Sequence, residues 1–216
     1  MDSRIINQII LSGTIVSEPR VLYTNRTGQH YEFFIDVKRA SGNFDRLRII
    51  AGPLTAGDPA LIKEGNCIKV EGEMRSYNNP NGERGERLLI NVLAHSFSQT
   101  DNDEINEVTL AGYVSGTPVL RKTPMGKQIC DIHINVPREK AKTAHLPCIA
   151  WGRVAEQAAE IAPRTMIRIS GRLQSRKYLL STGIRPEDVV EKTALEVSIF
   201  TISKIDENTE SSVTHG

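Results

Sequence analysis

The stretch NEVTLAGYVSGTP, residues 106–118, is a second writing of NQIILSGTIVSEP, residues 7–19. Asn7, Leu11, Gly13 and Pro19 return as Asn106, Leu110, Gly112 and Pro118, a period of 99 residues. Self-similarity at a fixed spacing marks a repeated structural unit. Outward from this stretch the period persists. Val37 and Arg39 return as Val136 and Arg138, Gly72 as Gly171, and Ile68-Lys69-Val70 stands opposite Ile167-Arg168-Ile169. Gly28 returns as Gly126, one residue early, and Ile49 and Gly52 as Ile149 and Gly152, one late, which sets Ala51 opposite Trp151. The slips fall where turns are expected. The offset grows after Tyr178, where the second copy carries extra residues around Ile184 to Lys192.

A chain of 216 residues has room for two domains of about 100 residues each. The repeat places them at 1–100 and 104–205, joined in the polar run from Ser98 to Glu104, with 206–216 as a flexible C-terminal tail.

Each copy reads as strands with one short helix. In the second copy Val108 to Val114 alternates and ends in the turn signal Gly116-Thr117-Pro118. Thr123-Pro124-Met125-Gly126 marks another turn. Ile132, Ile134 and Val136 alternate with His133 and Asn135 as a second strand, and Pro147 to Trp151 forms a third. Arg153 to Ala162 carries apolar residues at helical spacing and stops at Pro163. Met166 to Leu173 and Ala194 to Ile202 give the last two strands. The first copy follows the same order, with Asp58-Pro59 opening a weaker helix and Asn78 to Gly85 as a hairpin tip. Three strands, a helix, then two strands predicts an all-β chain of two tandem five-stranded OB-fold barrels, each with one short helix between strands 3 and 4. A β-sandwich is the alternative, and the helix position decides against it.

The formal charge is only +1 and aromatic residues make up 5% of the chain. Charge is nevertheless unevenly placed. Between residues 119 and 185 thirteen cations face four acids, a local excess of nine. A local basic field on a near-neutral protein can steer a polyanion; the bland alternative is a solvated charged surface.

OB barrels that take single strands use aromatics as stacking platforms and cations along the backbone path. In the second copy Trp151, the only tryptophan, ends the third strand and shares a face with Ile149, Pro147 and His145. Tyr178 ends the fourth strand beside Arg176-Lys177. Arg121, Lys122, Lys127, Arg138, Arg153 and Arg172 complete a candidate nucleic-acid path. Core packing is the alternative for Trp151, and a cover over the barrel edge is the alternative for Tyr178. The first copy offers Tyr23, Arg48, Arg75 and Tyr77, with a local excess of three cations between Arg20 and Arg48. It reads as a weaker binder or as a barrel that builds an oligomer.

Cys67, Cys130 and Cys148 show no metal spacing and read as buried free thiols of a cytoplasmic protein. The N-terminus has no secretory pattern, no run reaches transmembrane length, and no cofactor is implied. The sequence contains no P-loop, no catalytic triad order and no paired carboxylates on a strand face, so an enzyme is not expected.

These residues resemble the bacterial single-stranded DNA-binding protein family. Its opening Asn-x-Val-x-Leu-x-Gly strand is matched by Asn106, Val108, Leu110 and Gly112, and by Asn7, Ile9, Leu11 and Gly13 with Glu18-Pro19, Tyr23 and Gly28. Trp151-Gly152 matches the aromatic-Gly that ends the family's third strand. Gly171, Leu173, Ser175, Arg176, Lys177 and Tyr178 match its fourth. The resemblance implies sequence-tolerant binding of single-stranded DNA in replication, repair and recombination, with stacking at Trp151 and Tyr178 and a weaker platform at His145. It implies four barrels in total, which a tandem chain reaches as a homodimer. The acidic, apolar-tipped tail with which the family recruits replication proteins has no counterpart after Ile205. Two rival roles share the fold: a primosome-type protein acting mainly through protein contacts, and an RNA-binding OB module.

Overall fold

The computed structural model describes residues 4–79, 88–138, 142–181 and 189–206. The expected hairpin tip at 78–85, the insert around 184–192 and the tail at 206–216 lie largely outside them.

The first copy forms β1 (Ile6–Ile15), β2 (Arg20–Asn25), β3 (Gly28–Lys38), β4 (Phe44–Ala51), β5 (Cys67–Asn78) and β6 (Leu88–Gln99). The second forms β7 (Asn106–Lys122), β8 (Gln128–Pro137), β9 (Thr143–Trp151), α1 (Arg153–Ala159), β10 (Met166–Ser181) and β11 (Val189–Lys204). One difference in strand number is local. β7 runs through its turn with a register shift between Ser115 and Val119, whereas the first copy breaks there into β1 and β2 at Glu18-Pro19.

Each copy closes on itself. β7 pairs with β8, β8 with β9, β9 with β11 in parallel, β11 with β10, and β10 returns to β7. In the first copy β1 pairs with β3, β3 with β4, β4 with β6 in parallel, β6 with β5, and β5 returns to β1. Both rings have the five-stranded order of an OB barrel, so the chain is two OB folds in tandem.

Alternation explains why these segments pair. Leu11, Ile35, Val37, Leu47, Ile68 and Val70 fill the first barrel; Leu110, Ile134, Val136, Leu146, Ile167 and Ile169 fill the second, all at or below 1% exposure. The repeated residues do matching work. Asn7 accepts from Met74 N and donates to Met74 O, and Asn106 does the same with Leu173, at 2.8–2.9 Å in both barrels. Gly72 and Gly171 sit where β5 and β10 shift register; a Cβ there would stand 2.2 Å from Leu93 O and Ser198 O. A backbone approach this close excludes every side chain.

The helices differ. In the second barrel α1 buries Ala155 and Ala158, and it ends three residues before the expected Ala162 because Pro163 and the left-handed Arg164 (φ 68°) turn the chain. In the first barrel the expected helix is a single 3-10 turn, Pro59–Leu61, whose N-cap Asp58 accepts from Ala60 N at 3.0 Å. Gly65 follows too soon for an α-helix to propagate.

The barrels are joined edge to edge. β1 and β7 pair antiparallel from Ile6↔Ala111 to Leu11↔Asn106, and Ser12 extends the link by exchanging hydrogen bonds with Ile105. Ile9 lies opposite Val108, its own counterpart in the repeat, so a local two-fold relates the copies. The strands β6-β5-β1-β7-β10-β11 therefore make one continuous six-stranded sheet.

Candidate nucleic-acid interface

The ends of three strands meet at Trp151. Trp151 on β9 lies opposite Ile129 on β8, and Ile129 lies opposite Arg121 on β7. The core-facing residues of β9 are Ala144, Leu146, Cys148 and Ala150, so alternation turns Trp151 outward. It is 41% exposed, which removes the core-packing alternative. Trp151 lines a cleft of about 600 Å³ with Lys122, Gly126, Lys127, Gln128 and Gly152. Gly152 N donates to Gln128 O at 2.9 Å, tying the end of β9 to the start of β8. Arg153 follows as the exposed first residue of α1. Lys122, Lys127 and Arg153 make no ion pair among the described residues, so their charge is available to an anion. Arg121 differs, because it donates to Asp131 through two of its guanidinium nitrogens, Nε and Nη2.

The strand register of the first barrel corrects the sequence alignment. Tyr31 pairs with Ala51, so Ala51 is the counterpart of the inward Ala150, and Gly52 stands in the place of Trp151. Opposite Gly52 comes His30, whose ring would lie 2.7 Å from a Cβ at residue 52. Tyr23 stacks on that ring with centroids 4.4 Å apart and planes 18° from parallel. The row Arg121, Ile129, Trp151 of the second barrel thus corresponds to Tyr23, His30, Gly52 in the first. The first barrel has its aromatic surface at the same end, supplied by the first strand instead of the third. Sequence reasoning missed His30; the signal was the Tyr23–His30 spacing across a Gly28 turn, together with a glycine at 52.

Tyr23 is 42% exposed and so is Tyr77, on β5. Burial, and next the neighbouring Tyr77, push the Tyr23 hydroxyl up from its ordinary range against an opposing effect of Arg75. Arg75 bonds Glu73 at 2.5 Å, and Arg138, from the second barrel, approaches the same carboxylate at 3.6 Å. His145 is exposed, but its Nδ1 meets Asn135 Oδ1 at 2.7 Å and its backbone N donates to Ser76 Oγ of the first barrel at 2.7 Å. It stands at the junction of the barrels, at the far end of β9 from Trp151.

Along β10, Arg176 lies over the Tyr178 ring at 5.7 Å and approaches Glu196 at 3.5 Å, while Lys177 reaches Glu191 at 2.9 Å. Arg172 buries its Nε without a hydrogen-bond partner among the described residues. Arg48 is turned to structural use: it and Arg20 both bind Glu32, which is 2% exposed. Arg48 also lines an apolar cleft of about 610 Å³ with Phe34, Leu88, Pro147 and Leu195.

Cys130 and Cys148 are buried and Cys67 is half-buried. Burial is the main reason that all three thiols titrate above their ordinary range. No helix among the described residues is long and apolar enough to cross a membrane.

Comparison with known proteins places this geometry. Residues 105–204 match the family model described as the single-strand binding protein family. The single-stranded DNA-binding protein of Deinococcus radiodurans is 24% identical over 230 residues, covering 90% of this chain and 76% of that protein. That of Thermus aquaticus is 27% identical over 216 residues, covering 85% and 80%. That of Clostridium tetani is 32% identical over 103 residues, covering 44% of this chain and 70% of its own. The crystal structure of the wild-type Thermus aquaticus protein superposes with a TM-score of 0.71 at 21% identity, over 94% of this chain and 95% of that one. Its tandem barrels have the architecture described here. By sequence and by fold, the chain belongs to the single-strand binding protein family.

Proposed function

We propose that the chain binds single-stranded DNA without reading sequence, by stacking bases and neutralising phosphates, and serves replication, repair and recombination in the cytoplasm. The observation that carries this is Trp151, a large aromatic ring held outward at the end of β9 in a cleft with two lysines that make no ion pair among the described residues. A stacked base is worth roughly 1–3 kcal/mol, and each phosphate contact adds a salt-dependent share. No catalytic step is assigned to the chain. Exposed aromatic surface in both barrels, Trp151 in the second and the Tyr23–His30 stack in the first, favours this reading over the protein-contact role.

The folding units are placed at 1–100 and 104–205, and the functional particle at two chains and four barrels. What favours a homodimer is the outer face of the six-stranded sheet, where the uncharged row Gln8, Thr109, Ser170 and Thr201 crosses β1, β7, β10 and β11. Light scattering should give twice the chain mass; a monomer would remove the four-barrel particle and leave the binding proposal standing.

The test of binding is quenching of Trp151 fluorescence by oligo-dT at low and at high salt. As the only tryptophan, Trp151 reports a single place. Quenching that weakens with salt is expected. An unchanged spectrum with no mobility shift would overturn the assignment, and stronger binding of oligo-U than of oligo-dT would replace it with an RNA role.

A further inference from the structure

The local two-fold makes two seams between the barrels, and they are built from equivalent parts with different chemistry. The loop after β3 is closed by Arg39 N donating to Asn43 O at 2.8 Å, and the loop after β8 by Arg138 N donating to Lys142 O at 2.7 Å. Each loop aims its arginine at the other barrel. At the first seam the charge is matched. Arg39 holds Asp45 through two nitrogens and donates to Ser175 O on β10 at 2.9 Å. Ser175 returns its N and Oγ to Asp45 Oδ1 at 2.6 and 3.0 Å. Asp45 is fully buried, so this seam is a closed, neutral lock.

At the second seam the counterpart of Asp45 is Ala144, and among the described residues no acid of the arginine's own barrel pairs with it. Among the described residues the carboxylate there is Glu73 on β5, which already accepts from Arg75 and has His95 at 3.8 Å. Two guanidinium groups share one carboxylate, a surplus of positive charge among the described residues. Arg138 is 13% exposed and Arg75 26%. Burial, and next the repulsion from Arg75, lower the Arg138 guanidinium from its ordinary range. An unmatched, half-desolvated pair of forked donors is what a phosphodiester oxygen pair complements best. Tyr77 lies two residues beyond Arg75 on β5, and the His145 backbone N donates to Ser76 Oγ between them at 2.7 Å.

We propose that the Arg75–Arg138 seam is a phosphate site spanning both barrels, at which a single strand passes from the outer face of β9 onto β5. The seam rests on the single-strand-binding reading and adds a direction to it. The strand leaves Trp151, follows Pro147 and His145, crosses at Arg138 and Arg75, and reaches Tyr77 and Tyr23. The seam closed by Arg39 and Asp45 offers no such crossing.

The experiment compares R138M, R138K and the unaltered chain on two oligo-dT lengths, one of about 8 nucleotides, within the reach of one OB barrel, and one of about 30. Affinity is read by Trp151 quenching and by the anisotropy of labelled DNA, with folding checked by thermal melting. R138M should weaken the long oligomer about tenfold and lower its salt slope by about 0.7, with a loss below about twofold on the short one. R138K should recover part of the loss. A second variant, E73Q, removes the competing carboxylate and should tighten the long oligomer and steepen its salt slope. Equal losses at both lengths, no loss at either, or weaker long-oligomer binding by E73Q would each overturn the seam. Failure of the unaltered chain to bind either length would overturn the single-strand reading itself.

Discussion

The two barrels present an aromatic ring at the same end from different residues of one row. In the second barrel the row reads Arg121, Ile129, Trp151, and the ring comes from β9. In the first it reads Tyr23, His30, Gly52, and the ring comes from β2, lying on an imidazole that fills the space above a glycine. A repeat can thus keep its surface while moving the side chain that makes it, because directly paired positions of neighbouring strands lie side by side on one face. An alignment that follows the chain compares Trp151 with a small residue and finds nothing; one that follows the sheet finds a partner. The charge is redistributed as well. Arg20, Arg39, Arg46 and Arg48 of the first barrel are engaged by Glu32, Asp45 and Asp36, whereas Lys122 and Lys127 of the second face open solvent beside the ring.

The largest effect should come from the lock between the barrels, not from either platform. Asp45→Ala leaves Arg39 without its buried partner and Ser175 without its acceptor. Removing one member of a buried pair costs about 3–5 kcal/mol, so thermal unfolding should fall by many degrees. Arg138→Met, at the twin seam, should cost far less because Glu73 keeps Arg75. Equal destabilisation of the two variants would break the contrast between the seams.

Next in size is the second barrel's platform. Trp151→Ala should weaken single-strand binding by roughly 1–3 kcal/mol, measured by anisotropy, with little change in melting because the ring lies outside the core. A large loss of stability would mean that the indole is holding Ile129 and the strand ends together. Tyr23→Ala should weaken binding by less, about 1 kcal/mol, because a ring of 42% exposure already gives one of its faces to His30. His30→Ala should recover none of that binding, since the tyrosine then loses its support. A full-sized loss from Tyr23→Ala would make the first barrel the equal of the second.

How much of this could be read in the chain follows from distance along the sequence. The repeat, the alternation of Val108 and Leu110 with Glu107 and Thr109, and the stop at Pro163 are local signals, and from them both barrels and their order were legible. The outward turn of Trp151 follows from period two along β9. The register between β4 and β9 was not legible, because a one-residue slip in a turn leaves the apolar pattern intact and the ladder pairs decide it. Nor were the ion pairs. Arg48 and Lys122 look alike in a charge count, and only the strand neighbour, Glu32 against none, separates a structural cation from an available one. The seams are the extreme case, since Asp45 and Ser175 are 130 residues apart.

That last distinction can be tested on two adjacent residues. Arg121 and Lys122 carry the same charge at the end of β7, yet Asp131 neutralises Arg121 through a two-nitrogen pair while Lys122 lines the Trp151 cleft. A cation already paired contributes little when a phosphate arrives, because the phosphate must first displace the carboxylate. Lys122→Ala should therefore lower the salt slope of oligo-dT binding by about 0.7 and the affinity by a few-fold. Arg121→Ala frees Asp131 and should lower affinity mainly through the new negative charge, an effect that Arg121→Ala combined with Asp131→Ala should remove. If the double variant still binds as weakly as Lys122→Ala, the pair opens on binding, and Arg121 joins the row beside Trp151 as Tyr23 joins the row beside Gly52.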